Sequence, residues 1–193
     1  LEEVGKDKGY DYTRASNPTR EMLENNLAAL EGGKHAICFS SGMAAVDSVM
    51  KILKSGDHVV CSDDVYGGVS RLYNKLMVNY DISFTYVNSS NPQEVEDAIQ
   101  DNTKLIWIET PTNPLLKVTD LDAVGKIAKK HGIIYGVDST FSTPALLRPL
   151  EYGADIVQHS TTKYLSGHNQ IIGGVLITND EKLSEKFKFI QKS

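Results

Sequence analysis

Between Asp155 and Gly174 the chain reads DIVQHSTTKYLSGHNQIIGG. An apolar pair, Ile156-Val157, runs into three hydroxyls, Ser160, Thr161 and Thr162, and then into one lysine, Lys163. Two isoleucines and a Gly-Gly pair lead into a second apolar run. A lysine set between hydroxyls and an apolar stretch can shed its proton, and the neutral amine then attacks carbonyls to give a Schiff base. The hydroxyls beside it suit an anion such as a phosphate. The same tripeptide also fits an ordinary solvated loop, so the chemistry depends on what the rest of the chain brings to it.

The elements that must position this lysine can be read from punctuation and periodicity. Asn17-Pro18 opens a first helix as N-cap and first helical residue. Leu23, Leu27 and Leu30 give it one apolar face, and Gly32-Gly33 end it. A strand at Ala36–Phe39 is followed by a helix from Met43 to Lys54, and a strand at His58–Cys61 by a helix facing inward through Val69, Leu72, Tyr73, Leu76 and Met77. Further strands fall at Ile82–Val87, Leu105–Ile108, Ile133–Val137, Asp155–Gln158 and Gly174–Ile177. Helices are predicted over Pro92–Ile99, around Leu121, Val124 and Ala128, and around Leu183, Phe187 and Ile190. This alternation predicts an α/β fold with a mostly parallel sheet and helices on both faces. No linker or repeat divides it. Residues 1–16 are polar and aperiodic, and read as an extended arm ahead of one domain over 17–193.

In open parallel sheets ligands sit beyond the carboxyl ends of the strands. The unusual polar residues of this chain collect there: Ser41-Gly42 after one strand, Tyr66 after the next, then Glu109 and Asn113, then Asp138, and finally Ser160, Thr162 and Lys163. Singly, each fits a turn or a cap, and Asp138 fits a carboxylate capping the turn before Pro144. Together they suit pyridoxal 5'-phosphate (PLP), which is held on a lysine, steadied at its phosphate and kept electron-poor by a carboxylate at the ring nitrogen. Asp138 would supply that carboxylate and Tyr66 a stacking surface. Gly42 and Met43 would offer backbone N–H groups at a helix start, and Ser160 and Thr162 their hydroxyls.

Composition narrows the alternatives. The 193 residues carry a net charge of -5, which gives no reason to expect nucleic acid or an anionic membrane as partner. No apolar run is long enough to span a bilayer. Cys38 and Cys61 lie in apolar runs and read as two buried free thiols, which favours a reducing, cytoplasmic setting. No metal-ligand spacing is present. Neither a Walker A loop nor a G-x-G-x-x-G stretch occurs, which weakens a nucleotide-binding reading.

Six motifs, in order, carry a family resemblance: YDYTRASNPTR (10–20), SSGMAA (40–45), DDVYGG (63–68), WIETPTNP (107–114), VDSTFSTP (137–144) and GADIVQHSTTKYLSGH (153–168). They cover almost the whole chain, which resembles the cystathionine γ-lyase/γ-synthase (Cys/Met metabolism, trans-sulfuration) family of PLP-dependent enzymes. The resemblance implies the large domain of a type I aminotransferase-like fold, with a smaller C-terminal domain and its carboxylate-gripping arginine outside this chain. It implies that Lys163 carries the cofactor, that Asp138 pairs with its ring nitrogen, and that Gly42, Met43, Ser160 and Thr162 bind its phosphate. Tyr66 would stack on the ring and take part in proton transfer, with Asn113 near the ring hydroxyl. Tyr12 and Arg14 would reach the phosphate of a neighbouring subunit. Glu109 would border the cofactor, and Arg71 would touch the substrate. The implied protein is a homo-oligomer, a dimer-based tetramer with shared active sites, acting on sulfur-containing amino acids by elimination or replacement at Cβ or Cγ. Cystathionine γ-lyase chemistry is expected first, with γ-synthase, β-lyase and methionine γ-lyase chemistry as alternatives within the family, and a non-catalytic fragment as the alternative outside it. Asn169-Gln170 and Ser139 depart from the family's usual residues at those positions.

Overall fold

The computed structural model describes residues 9–193. The part of the expected arm at residues 1–8 lies outside the described residues. Residues 13–15 form an exposed turn rather than an extended strap. The helix α1 (Pro18–Glu31) begins as its sequence predicts, with the Asn17 side chain accepting from the N–H groups of Thr19 and Arg20. Then follow β1 (His35–Phe39), α2 (Gly42–Met50), β2 (His58–Ser62), α3 (Gly67–Arg71), β3 (Ser83–Val87), α4 (Pro92–Asp97), β4 (Thr103–Glu109), α5 (Leu121–His131), β5 (Ile134–Asp138), α6 (Thr143–Leu146), β6 (Ile156–His159), β7 (Gly174–Thr178) and α7 (Glu181–Lys192).

The seven strands form one sheet in the order β1-β7-β6-β5-β4-β2-β3. All run in one direction except β7, which is antiparallel to both its neighbours. The two faces alternate residue by residue along each strand. Val59, Cys61, Leu105, Trp107, Ile156 and Leu176 pack with α2, α3 and α7 on one face. Val60, Ile106, Ile108, Val137, Val157 and Ile177 pack with α1, α4 and α5 on the other. Each face buries a continuous apolar layer, so the central strands read as unbroken apolar runs.

Four expectations are corrected. The stripe of α1 that meets the sheet centres on Leu27, Ala28 and Glu31, which leaves Leu23 and Leu30 on its flank, each about half exposed. The helix expected to reach Lys54 ends at Met50, because the N–H groups of Ile52 and Leu53 bond back three residues instead of four. The helix expected through Met77 passes into a π-helical turn (Leu72–Leu76) and then a 3-10 turn (Met77–Tyr80), although Leu72, Tyr73 and Met77 are buried as their spacing demands. Cys61 is buried, but Cys38 is only half-buried; both are free thiols. Among the described residues no helix is long and apolar enough to cross a membrane.

Candidate active site

Every parallel strand delivers its last residues to the same edge of the sheet, and a cleft of about 480 Å³ opens there. Gly42 and Met43 line it from the start of α2, Tyr66 from the turn after β2, and Glu109 and Asn113 from the end of β4 and the loop after it. Asp138 comes from the end of β5, and Ser160, Thr162 and Lys163 from the turn after β6. The convergence predicted from five strand ends is therefore what the fold produces.

Its floor is a row of polar side chains. Glu109 pairs in register with Asp138, and Asp138 with Gln158. All three point to the α2 face, by alternation from Trp107, Gly136 and Ile156. Glu109 is anchored by two backbone groups: the Tyr66 N–H donates to Oε2 at 2.8 Å and the Asn113 N–H to Oε1 at 2.9 Å. Burial, and then the neighbouring Asp138 carboxylate, push Glu109 up to about 8 against the pull of those two N–H groups. Burial likewise raises Asp138, opposed by Thr140 and His159. One Asp138 oxygen, Oδ1, accepts from the Thr140 N–H at 3.0 Å and from its hydroxyl at 2.6 Å. Thr140 Oγ1 in turn accepts the Ser160 N–H at 2.9 Å, so a single threonine ties the ends of β5 and β6 together.

The loops above the floor are held with equal economy. Thr162 Oγ1 both donates to the Gly173 carbonyl (3.2 Å) and accepts its N–H (3.0 Å), closing the loop that carries Lys163. Asp64 accepts the Leu115 N–H (2.9 Å) and the Thr112 hydroxyl (2.5 Å), which fixes the loop holding Asn113. Lys163 itself is exposed at the mouth of the cleft. The sequence suggests a more enclosed lysine, but the turn after β6 projects beyond the sheet edge and the apolar Ile171-Ile172 pair beside it is itself exposed.

A model of the Cys/Met metabolism PLP-dependent enzyme family matches residues 2–193. The chain belongs to this family. A probable cystathionine γ-synthase of Herpetosiphon aurantiacus is 49% identical over 190 residues, 98% of this chain and 60% of that protein. A cystathionine γ-lyase of Bacillus subtilis is 51% identical over 190 residues, again 98% of this chain and 50% of that one. The crystal structure of cystathionine γ-lyase from Lactobacillus plantarum complexed with L-serine superposes with a TM-score of 0.96 at 40% identity, covering all of this chain and 50% of the other. The chain thus spans about half the length of the relatives it matches.

Arg71, expected at the substrate, is not brought to the cleft, and Tyr12 and Arg14, expected to serve a neighbouring subunit, lie apart from it. Arg14 lines a separate groove of about 500 Å³ between the arm, α2 and the end of α7, and Tyr12 is exposed beside it. Arg71 is exposed on α3 and lies near Gly67. Conversely, Thr140 and Gln158 belong to the family member's cleft and escape the sequence reading. Gln158 had a signal: it interrupts an otherwise apolar buried strand. Of the two departures from family usage, Ser139 is fully buried and shares a 2.5 Å hydrogen bond with the Ser142 hydroxyl. Asn169 takes a left-handed backbone (φ 53°), a conformation asparagine tolerates better than most residues.

Proposed function

We propose that this chain is the cofactor domain of a PLP-dependent enzyme that eliminates the sulfur-bearing substituent at Cγ of an amino acid, the reaction of a cystathionine γ-lyase. The observation that carries the cofactor is the cleft's polarity from end to end, and the Cγ reaction is supported by relatives named cystathionine γ-lyase. At one end the Ser41 hydroxyl caps the Ala44 N–H, while the N–H groups of Gly42 and Met43 have no partner among the described residues. A Cβ at position 42 would stand 2.8 Å from Ser160 Cβ, so only glycine lets the helix start and the hydroxyl loop close on one small anion. At the other end Asp138 keeps Oδ2 unbonded among the described residues, and the buried Gln158 Oε1 has no partner. Phosphate donors, a buried acceptor and a lysine fit PLP.

When bound, that cofactor supplies an electron sink for bonds broken at the substrate's Cα and Cβ. Lys163 anchors it, then takes and returns the proton at Cα as general base and acid. Asp138 holds a proton at the pyridine nitrogen. Tyr66 stacks against the ring and assists proton transfer, Asn113 lies by the ring hydroxyl, and Glu109 borders the cofactor. Gly42, Met43, Ser160 and Thr162 grip the phosphate, joined by Tyr12 and Arg14 from a second subunit of a dimer-based homotetramer. Arg71 reaches toward the substrate.

Replacement at Cγ, the synthase reaction, is the second reading, supported by relatives of nearly equal identity that carry the two names. The half-length match supports a reading of another class, a fragment that folds without a complete site. The decisive experiment is the visible spectrum of the purified chain with and without added PLP, beside Lys163→Ala. A yellow band in the parent that the variant lacks is expected. No band at saturating PLP overturns the proposal for this chain and leaves the fragment reading. On the full-length protein, release of an α-keto acid and ammonia marks elimination, while a new thioether without ammonia marks replacement.

A further inference from the structure

Arg20 sits in the second half of the first turn of α1, outside the cleft, and its guanidinium is committed to backbone. Nη1 donates to the carbonyls of Thr13 (3.0 Å) and Arg14 (3.2 Å), and Nη2 to that of Ala15 (2.9 Å). Nε lies 3.5 Å from Glu24 Oε1. That same oxygen accepts the Cys38 N–H of β1 at 2.8 Å and the Gln191 Nε2 of α7 at 3.3 Å. One arginine therefore connects three consecutive carbonyls of the arm to an edge strand and to the last helix. The turn it holds is closed from within, by the N–H groups of Ala15 and Ser16 donating to the Tyr12 carbonyl, both at 2.9 Å. On the outer side of this fixed turn Tyr12 is 60% exposed, and the Arg14 guanidinium carbon lies 5.5 Å from the centre of its ring.

We infer that Arg20 is a positioning residue: by fixing the carbonyls of residues 13–15 it holds Tyr12 and Arg14 ready to grip a phosphate monoester, that of the cofactor bound by a second copy of the chain. The inference rests on the proposed function. Its physical content is pre-organisation: a loop ordered before binding is not ordered at the expense of affinity. A planar fork can serve three carbonyls at once, whereas a lysine ammonium at the end of a flexible stem cannot hold them in one geometry.

The test uses the full-length protein and two probes, PLP and pyridoxal, which share ring and aldehyde and differ by the phosphate. Arg20→Lys is expected to weaken PLP binding about tenfold while pyridoxal binding stays within about twofold. Arg14→Ala should lower the same PLP/pyridoxal preference, and adding Arg20→Lys to it should weaken PLP binding by less than Arg20→Lys does alone, because part of the effect of Arg20 runs through Arg14 and the rest through Tyr12. Glu24→Gln, which releases the anchor but leaves the three carbonyl bonds, should shift the preference in the same direction by a smaller factor. An equal fall for both probes would assign Arg20 a merely structural role and overturn the inference, as would an unchanged preference in both Arg20→Lys and Glu24→Gln while wild type binds PLP. If the wild-type protein binds neither probe, the proposed function fails first and takes the inference with it.

Discussion

Glu109 and Asp138 stand opposite each other in the last register of β4 and β5, two buried carboxylates on one face of the sheet. Like charges so placed resist ionising together. Their hydrogen bonds separate their roles. Glu109 spends both oxygens on protein backbone, fixing Tyr66 and Asn113, whereas Asp138 spends one on Thr140 and keeps the other for the cleft.

Glu109 makes stability depend on pH in a defined direction. Its folded pKa, near 8, lies above the ordinary glutamate value of about 4.3. Between the two the folded chain binds more protons than the unfolded one. The contribution is therefore full below the unfolded value and is lost as pH rises toward 8. Denaturant midpoints of the cofactor-free chain should carry this fall, and Glu109→Gln should flatten it. An equal slope in parent and variant would assign the effect to another group.

Thr140 joins two strand ends through one hydroxyl. Thr140→Val keeps the shape but removes the bond to Asp138 and leaves the Ser160 N–H without its acceptor. A loss of about 1–3 kcal/mol is expected, read as a lower urea midpoint at constant slope. A change below about 0.5 kcal/mol would mean that neither bond matters to the fold.

Behind the floor, on the opposite face, His159 Nε2 meets Glu31 Oε1 at 2.5 Å, with both side chains fully buried. Breaking such a pair from one side is costly, so Glu31→Leu should destabilise by about 3–5 kcal/mol. The Glu31→Leu/His159→Leu double variant should lose less than the sum of the two single changes, with a coupling of about 0.5–3 kcal/mol in unfolding experiments. Additive losses would show that the two residues act independently.

Local signals made most of the fold legible. The N-cap at Asn17, the β-branched strands and the glycine-ended helices all announce themselves within a few residues. The strand-end rule then placed Lys163, Asp138, Glu109 and Gly42 around one cleft. One Asp138 oxygen caps its own turn at Thr140, and the other has no partner among the described residues. Contacts remote in sequence stayed hidden. Glu31 and His159 are 128 residues apart, and nothing near either names the other. Thr140 looked like one more hydroxyl in a run of them. The π-turn at Leu72–Leu76 was invisible because its apolar spacing hardly differs from that of an α-helix. Leu23 and Leu30 misled because periodicity gives a stripe's spacing but not which of its flanks meets the sheet.

The reversed direction of β7 has a consequence for how the protein can vary. Every other strand that ends at the cleft must send its chain back across a face of the sheet before the next strand begins. The segment from Ser160 to Gly173 leaves and re-enters the sheet at the same edge, pinned at its base by Thr162 and Gly173. Residues between Lys163 and Gly173 can be added or removed without re-threading a single helix. The lysine is thus carried on a segment of the cleft rim that joins two neighbouring strands directly, and changes of length there leave the helices and the floor beneath it in place.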